Sequence, residues 1–93
     1  MYNIHLNSKF RRDIERVLSK GKSIDKISEV INQLANGKQL NEKYNDHFLK
    51  WNNNYPDGTK ECHIEYDWLL VYKINKSKYT LHLLRTGSHD EVL

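Results

Sequence analysis

An α+β fold, with two helices packed on one face of a small and largely antiparallel sheet, is what the order of patterns along this chain predicts. Three observations carry that expectation. Helix-period apolar spacing is confined to residues 8–37, strand-like runs lie on either side of it, and the densest turn signal, Asn52-Asn53-Asn54-Tyr55-Pro56-Asp57-Gly58, separates a polar middle from an apolar last third.

Residues 2–6 are short and partly β-branched or aromatic, which suits a first strand. Ser8 then stands where an N-cap is expected, Phe10, Ile14, Val17 and Leu18 follow at helical spacing, and Gly21 is the natural stop. Ser23 opens a second helix whose Ile24, Ile27, Ile31 and Leu34 form one stripe, widened by Val30 and ended by Gly37, so that the two helices form an antiparallel hairpin. Residues 38–60 are polar and irregular, with a short strand predicted over 47–51. Three further strands are expected over residues 60–66, 68–75 and 79–86, the last two joined by a tight turn at Lys76-Ser77. The order is β-α-α-β-β-β, in one domain spanning residues 1–93.

With 38% hydrophobic residues, one Pro and four Gly, the chain has the composition of a compact fold rather than a disordered one. The net charge of +3 is mild, but Lys9, Arg11, Arg12, Arg16, Lys20 and Lys22 crowd the first quarter against only Asp13 and Glu15. Such a run favours a polyanionic partner, while a solvated helix face explains it equally well. The lone Cys62 excludes an internal disulfide and makes a reducing compartment the natural setting. No apolar run approaches the roughly 20 residues of a membrane span, and no leader pattern is present, so a cytoplasmic protein without a membrane partner is expected.

Chemistry concentrates in Glu61-Cys62-His63-Ile64-Glu65-Tyr66-Asp67 and in Leu84-Arg85-Thr86-Gly87-Ser88-His89. If Cys62 and Ile64 face the core, His63 projects from the other face. Asp67 approaches it only if the chain turns at Tyr66-Asp67, because four residues of straight strand span roughly 13 Å. Arg85 shares parity with Leu81 and Leu83, so alternation alone does not place it on a polar face. Ser88 is expected to cap a final helical turn through Asp90 and Glu91, with His89 at its start. His47, in Asp46-His47-Phe48-Leu49, lies at a loop edge within reach of the same cleft, whereas His5 and His82 read as packing or surface residues. No histidine, cysteine or carboxylate pair has the short spacing zinc favours, so no metal or other cofactor is expected. An inward Cys62 also excludes a Cys-His nucleophilic pair.

The three blocks Asp46–Leu49, Glu61–Tyr72 and Leu84–His89, in this order and at this length, closely resemble the YafQ-type toxins of the RelE/ParE superfamily. The resemblance implies the toxic half of a bacterial toxin-antitoxin pair, a ribosome-dependent mRNA endoribonuclease with His47, His63, Asp67, Arg85 and His89 as its active-site group. It implies partners as well: a RelB/DinJ-like antitoxin, the ribosome with its mRNA, and operator DNA only through the antitoxin. Lys60 and the terminal Leu93 are the expected substrate contacts, and Lys9, Arg11, Arg12, Arg16 and Lys20 the expected ribosomal RNA contacts. This chain departs from the family pattern in three places: Leu93 replaces a closing aromatic, Tyr66 stands where proline is common, and the loop 52–58 is longer. A ParE-like gyrase toxin on the same fold and a non-catalytic nucleic-acid-binding module are the two rival readings.

Overall fold

The computed structural model describes residues 1–93. Strand β1 (Asn3–Leu6) leads into helices α1 (Ser8–Ser19) and α2 (Ile24–Ala35), then a 3-10 turn (Glu42–Tyr44), strands β2 (His47–Phe48), β3 (Lys60–Glu65), β4 (Trp68–Asn75) and β5 (Thr80–Gly87), and a last turn of helix, α3 (His89–Val92). The sheet order is β1-β5-β4-β3-β2. Every neighbouring pair is antiparallel except β1 with β5, which runs parallel from Asn3↔Thr80 to Leu6↔Leu83. No helix is long and apolar enough to cross a membrane.

The predicted α+β architecture is therefore the observed one, with local differences at its ends. Asn7, not Ser8, caps α1: its backbone is extended and its side chain accepts from the Lys9 N–H at 3.0 Å, while Ser8 is already helical. Ser23 does precede α2, but its side chain makes no capping bond. The strand expected over 47–51 is only two residues long: His47 and Phe48 pair with Glu61 and Lys60, and one more bond, from the Leu49 N–H to the Thr59 carbonyl at 2.9 Å, follows before the chains part.

Both long helices bury their inward stripes on one side of the sheet. Phe10 and Val17 of α1, with Ile27, Val30, Leu34 and Ala35 of α2, meet Cys62, Ile64, Leu70, Tyr72, Leu81 and Leu83. Burial in that layer pushes the Cys62 thiol up to about 12, so it is not a thiolate near neutral pH. Trp68 and Thr86 pair their polar groups inside: Trp68 Nε1 donates to Thr86 Oγ1 at 2.9 Å, and Thr86 Oγ1 donates to the Leu69 carbonyl at 2.7 Å.

The other side of the sheet is only partly covered. Leu69, Val71 and Val92 form a small cluster there, joined by Tyr55 from the long loop and by Leu84 and Leu93. Two bulges break the alternation that a sequence reader relies on. One lies between His63 and Glu65, the other opposite Val71 and Tyr72, which pair with Arg85 and Leu83. At the first, Glu65 is turned to the helices and takes Lys22 and Lys26 at 2.7 and 2.6 Å, whose bonds draw its carboxyl down to about 2. At the second, the extra Leu84 moves Arg85 to the face of Val71, opposite Leu81 and Leu83.

Candidate active site on the open sheet face

Residues paired across neighbouring strands share a face. The register His47↔Glu61, Glu61↔Val71 and Val71↔Arg85 therefore makes one row across β2, β3, β4 and β5, and His63↔Leu69↔Gly87 makes a shorter row beside it. With strands about 4.8 Å apart, the first row runs roughly 14 Å from His47 to Arg85. Of the five expected active-site positions, His47, His63 and Arg85 lie on these strands, whereas Asp67 lies in the turn after β3 and His89 opens α3.

His47 Nδ1 lies 2.7 Å from the Asn45 carbonyl, and its Nε2 lies 3.0 Å from Glu61 Oε1. Both partners are acceptors, so both ring nitrogens are placed to donate. Glu61 is only 6% exposed, and its Oε2 is buried without a hydrogen-bond partner. A buried carboxylate oxygen without a protein partner is costly, so Glu61 Oε2 is an acceptor open to a donor.

His63 has the opposite character. Its Nδ1 faces the Tyr66 carbonyl at 3.1 Å, which assigns the ring proton to Nδ1 and leaves Nε2 as an acceptor. The turn demanded at Tyr66-Asp67 is present. Asp67 Oδ1 accepts from the His89 backbone N–H at 2.9 Å and so fixes the start of α3. Ser88 and Glu91 complete a reciprocal capping box around that start, as the sequence suggested. Gly87 permits the junction: a Cβ there would lie 2.7 Å from an Arg16 Nη2 and 2.9 Å from Glu91 Oε1. The His89 ring itself is exposed and has only Asp90 near it, at 4.0 Å.

Arg85 reaches over the edge of β5, beyond the last residue that β1 covers, to Asp13 of α1. Its Nε and Nη2 donate to Asp13 Oδ2 and Oδ1 at 2.6 and 3.1 Å, leaving Nη1 outside this pair. Asp13 is 2% exposed and also accepts from Arg16 Nη1 at 2.9 Å and from the Thr86 N–H at 3.1 Å. Burial alone would raise its carboxyl, but the bonds from Arg85, Arg16 and Thr86 outweigh it and hold the carboxyl below the usual range. The same carboxylate keeps the guanidinium of Arg85 firmly charged.

Other expected contacts are placed differently. Lys60 lies on the helix side, 3.0 Å from Asp46 Oδ2 and over the Phe48 ring, while Asp46 also accepts from Tyr72. Leu93 packs with Val92 and Leu69 at the open face. Arg16 is a staple rather than a free cation: besides Asp13 it donates to the Thr86 carbonyl at 3.2 Å, and its Nε lies 2.9 Å from Glu91 Oε2. Lys20 also leans on Glu91, at 3.7 Å. Lys9, Arg11 and Arg12 have no ion-pair partner, and the first turn of α1 carries no acid. Cations at the positive end of a helix are unfavourable by themselves, so this end suits an anion.

No three histidine, cysteine or carboxylate side chains converge as a metal-ligand set, and the nearest pair, His47 and Glu61, is spent on itself. The residues sequence reasoning passed over are Glu61, Asp13 and Tyr55. Glu61 shares parity with His63, a signal that placed both on one face, whereas nothing in the sequence marks Asp13 beyond its spacing from Phe10 and Val17.

Two helices on one side of this sheet, with histidine, carboxylate and arginine on the other, make the RelE-like architecture that the sequence resemblance implied. Residues 2–93 match the family model described as bacterial toxin of type II toxin-antitoxin system, YafQ, and the chain belongs to that family. It is 29% identical over 90 residues, 94% of this chain and 90% of the relative, to the mRNA interferase toxin YafQ of Escherichia coli (strain B / BL21-DE3). A metal-bound toxin from Helicobacter pylori superposes with a TM-score of 0.91 at 38% identity, covering all of both chains. The Escherichia coli DinJ-YafQ complex superposes at 0.88 with 26% identity, covering 100% of this chain and 99% of that one.

Proposed function

We propose that this toxin is an endoribonuclease that cuts mRNA on translating ribosomes, by attack of a 2′-OH on the adjacent phosphorus, without a resident metal. The observation that carries this reading is two histidines with different hydrogen-bond partners on one sheet face that ends in an arginine: His63 with Nδ1 on the Tyr66 carbonyl and Nε2 free, and His47 with both nitrogens facing acceptors. His63 takes the 2′-OH proton, the oxygen attacks, and His89 protonates the departing 5′-oxygen, leaving a 2′,3′-cyclic phosphate or its opened 3′-phosphate. Arg85 meets the charge that builds on the phosphoryl oxygens, in a position fixed by Asp13. Asp67 holds the His89 end of α3, and the His47–Glu61 pair orients substrate at the far end of the row. The partners are a cognate antitoxin, as DinJ is to the Escherichia coli protein, together with the ribosome and its message.

The decisive experiment supplies translating ribosomes with a defined message and maps the new RNA ends. In-frame cuts on ribosome-bound message, with the free message intact, are expected. A transition-metal chelator such as 1,10-phenanthroline, which spares magnesium, should leave the rate unchanged. Gyrase inhibition without cleavage would sink the reading, and chelator-sensitive cleavage would sink its metal-free form.

Lys9, Arg11 and Arg12, free at the start of α1, serve as ribosomal RNA contacts. Reversing all three to Glu should weaken ribosome association, lower its log–log salt slope by about one unit per lost phosphate contact, and leave the melting temperature unchanged. Equal binding by the variant at every salt concentration would reject the role. Arg16 does not belong in that variant, because its loss would disturb the fold.

A further inference from the structure

The long loop between β2 and β3 brings Tyr55 to the open face beside Arg85. A cleft of about 510 Å³ lies there, walled by Lys9 and Arg12 of α1, Arg85 of β5, Asn54 and Tyr55 of the loop, and Leu93. The loop is internally ordered: Asn54 N–H donates to Asn52 Oδ1 at 2.8 Å, Tyr55 N–H to the Asn52 carbonyl at 3.2 Å, and Thr59 Oγ1 to the Pro56 carbonyl at 2.6 Å. Tyr55 is then pinned across the fold, its hydroxyl donating to the Val92 carbonyl at 2.5 Å and its ring packed on the Leu69, Val71 and Val92 cluster. Two acids also line the cleft: Glu91 is matched by Arg16 and Lys20, and Asp90 is fully exposed with His89 4.0 Å away. An aromatic ring held rigidly, half-buried, among unpaired cations is what binds a single-stranded nucleotide: the ring takes the base and the cations take the phosphate.

We propose that Tyr55 is a specificity-determining residue whose ring stacks on the base of a nucleotide flanking the scissile bond, in the cleft that Arg85 also lines. This rests on the ribonuclease reading above. It gives the long loop a task, the presentation of one fixed aromatic surface at the mouth of the site.

Steady-state cleavage by wild type, Tyr55→Leu and Tyr55→Phe on ribosomes carrying messages that differ at single positions around the cut tests this. Tyr55→Leu should raise KM about tenfold or more, as loss of one stacked base implies, leave kcat within about twofold, and flatten the nucleotide preference. Tyr55→Phe keeps the ring, so KM and preference should stay near wild type although the bond to Val92 is gone. The proposal falls if Tyr55→Leu retains both KM and preference, if it lowers kcat alone, or if Tyr55→Phe loses as much as Tyr55→Leu. Should Tyr55→Leu not fold, Tyr55→Trp decides: a preference kept or sharpened supports stacking, and a preference lost overturns it. Wild-type protein that cuts no message defeats the ribonuclease reading itself, whereas cutting indifferent to residue 55 defeats this one alone.

Discussion

Asp13→Ala should lower the unfolding free energy by about 3 kcal/mol, the range for removing one partner of a buried ion pair, tempered because both arginines keep some contact with water. Asp13 lies on the buried face of α1, and its two oxygens receive four bonds, from Arg16, from Arg85 twice and from the Thr86 N–H. Removing it leaves two guanidinium groups without their acceptor and frees the edge of β5. In a domain of this size the loss corresponds to a fall in Tm on the order of 15 °C, measurable by calorimetry, with a matching drop in the urea midpoint at unchanged m. Because the folded-state value is the depressed one, the contribution is full above about pH 4 and is lost as pH falls through the folded value. The gap between wild type and variant should therefore close in acid. A variant as stable as wild type at pH 7 would show that the network is ornamental. Activity should fall too in whatever fraction stays folded, since Arg85 loses its anchor.

His89→Ala should do the reverse, sparing the fold and removing the chemistry. The ring is exposed and touches only Asp90, so stability should change by less than about 0.5 kcal/mol. The backbone N–H that Asp67 holds survives the substitution, and so does the capping box of Ser88 and Glu91. Cleavage of ribosome-bound message should nevertheless slow by about 10² to 10⁴, the usual cost of losing a general acid. Cutting at the wild-type rate would remove His89 from the mechanism. The acidic limb of the pH–rate profile should persist in the variant, since it reports the base, while the alkaline limb should flatten.

The elements and their order were legible in the sequence because each rested on a pattern its own residues carry. Ile27, Val30 and Leu34 repeat at helical spacing and are buried as that spacing requires, and the capping of the last turn by Ser88 was readable from its acids. Alternation also read His63 correctly as opposite to Cys62 and Ile64. It could not place Arg85, and the reason is now physical: the extra Leu84 opposite β4 resets parity between Leu83 and Arg85. A bulge leaves no local mark in composition, so parity counted across it misleads. The basic first helix illustrates a second limit. Six cations in a row look alike in sequence, yet Arg16 and Lys20 are tied to Glu91 and Lys22 to Glu65, while Lys9, Arg11 and Arg12 are free. The glutamates that hold Arg16, Lys20 and Lys22 lie far along the chain, beyond any window of periodicity. Asp13 was hidden for the same reason, an acid in a basic run that reads as a surface residue until β5 is seen beside it.

The parallel seam between β1 and β5 has a consequence for timing. Asn3 to Leu6 pair with Thr80 to Leu83, so the seam joins segments separated by both long helices and three strands of intervening chain. Contacts of such sequence separation form late, because the chain between them must already be closed into place. Arg85 lies just past that seam on the same strand, and its anchor Asp13 waits on the first helix. A chain whose β5 has not yet docked therefore has neither a closed sheet nor the arginine end of the row, so the arginine end and the sheet edge are completed in one event.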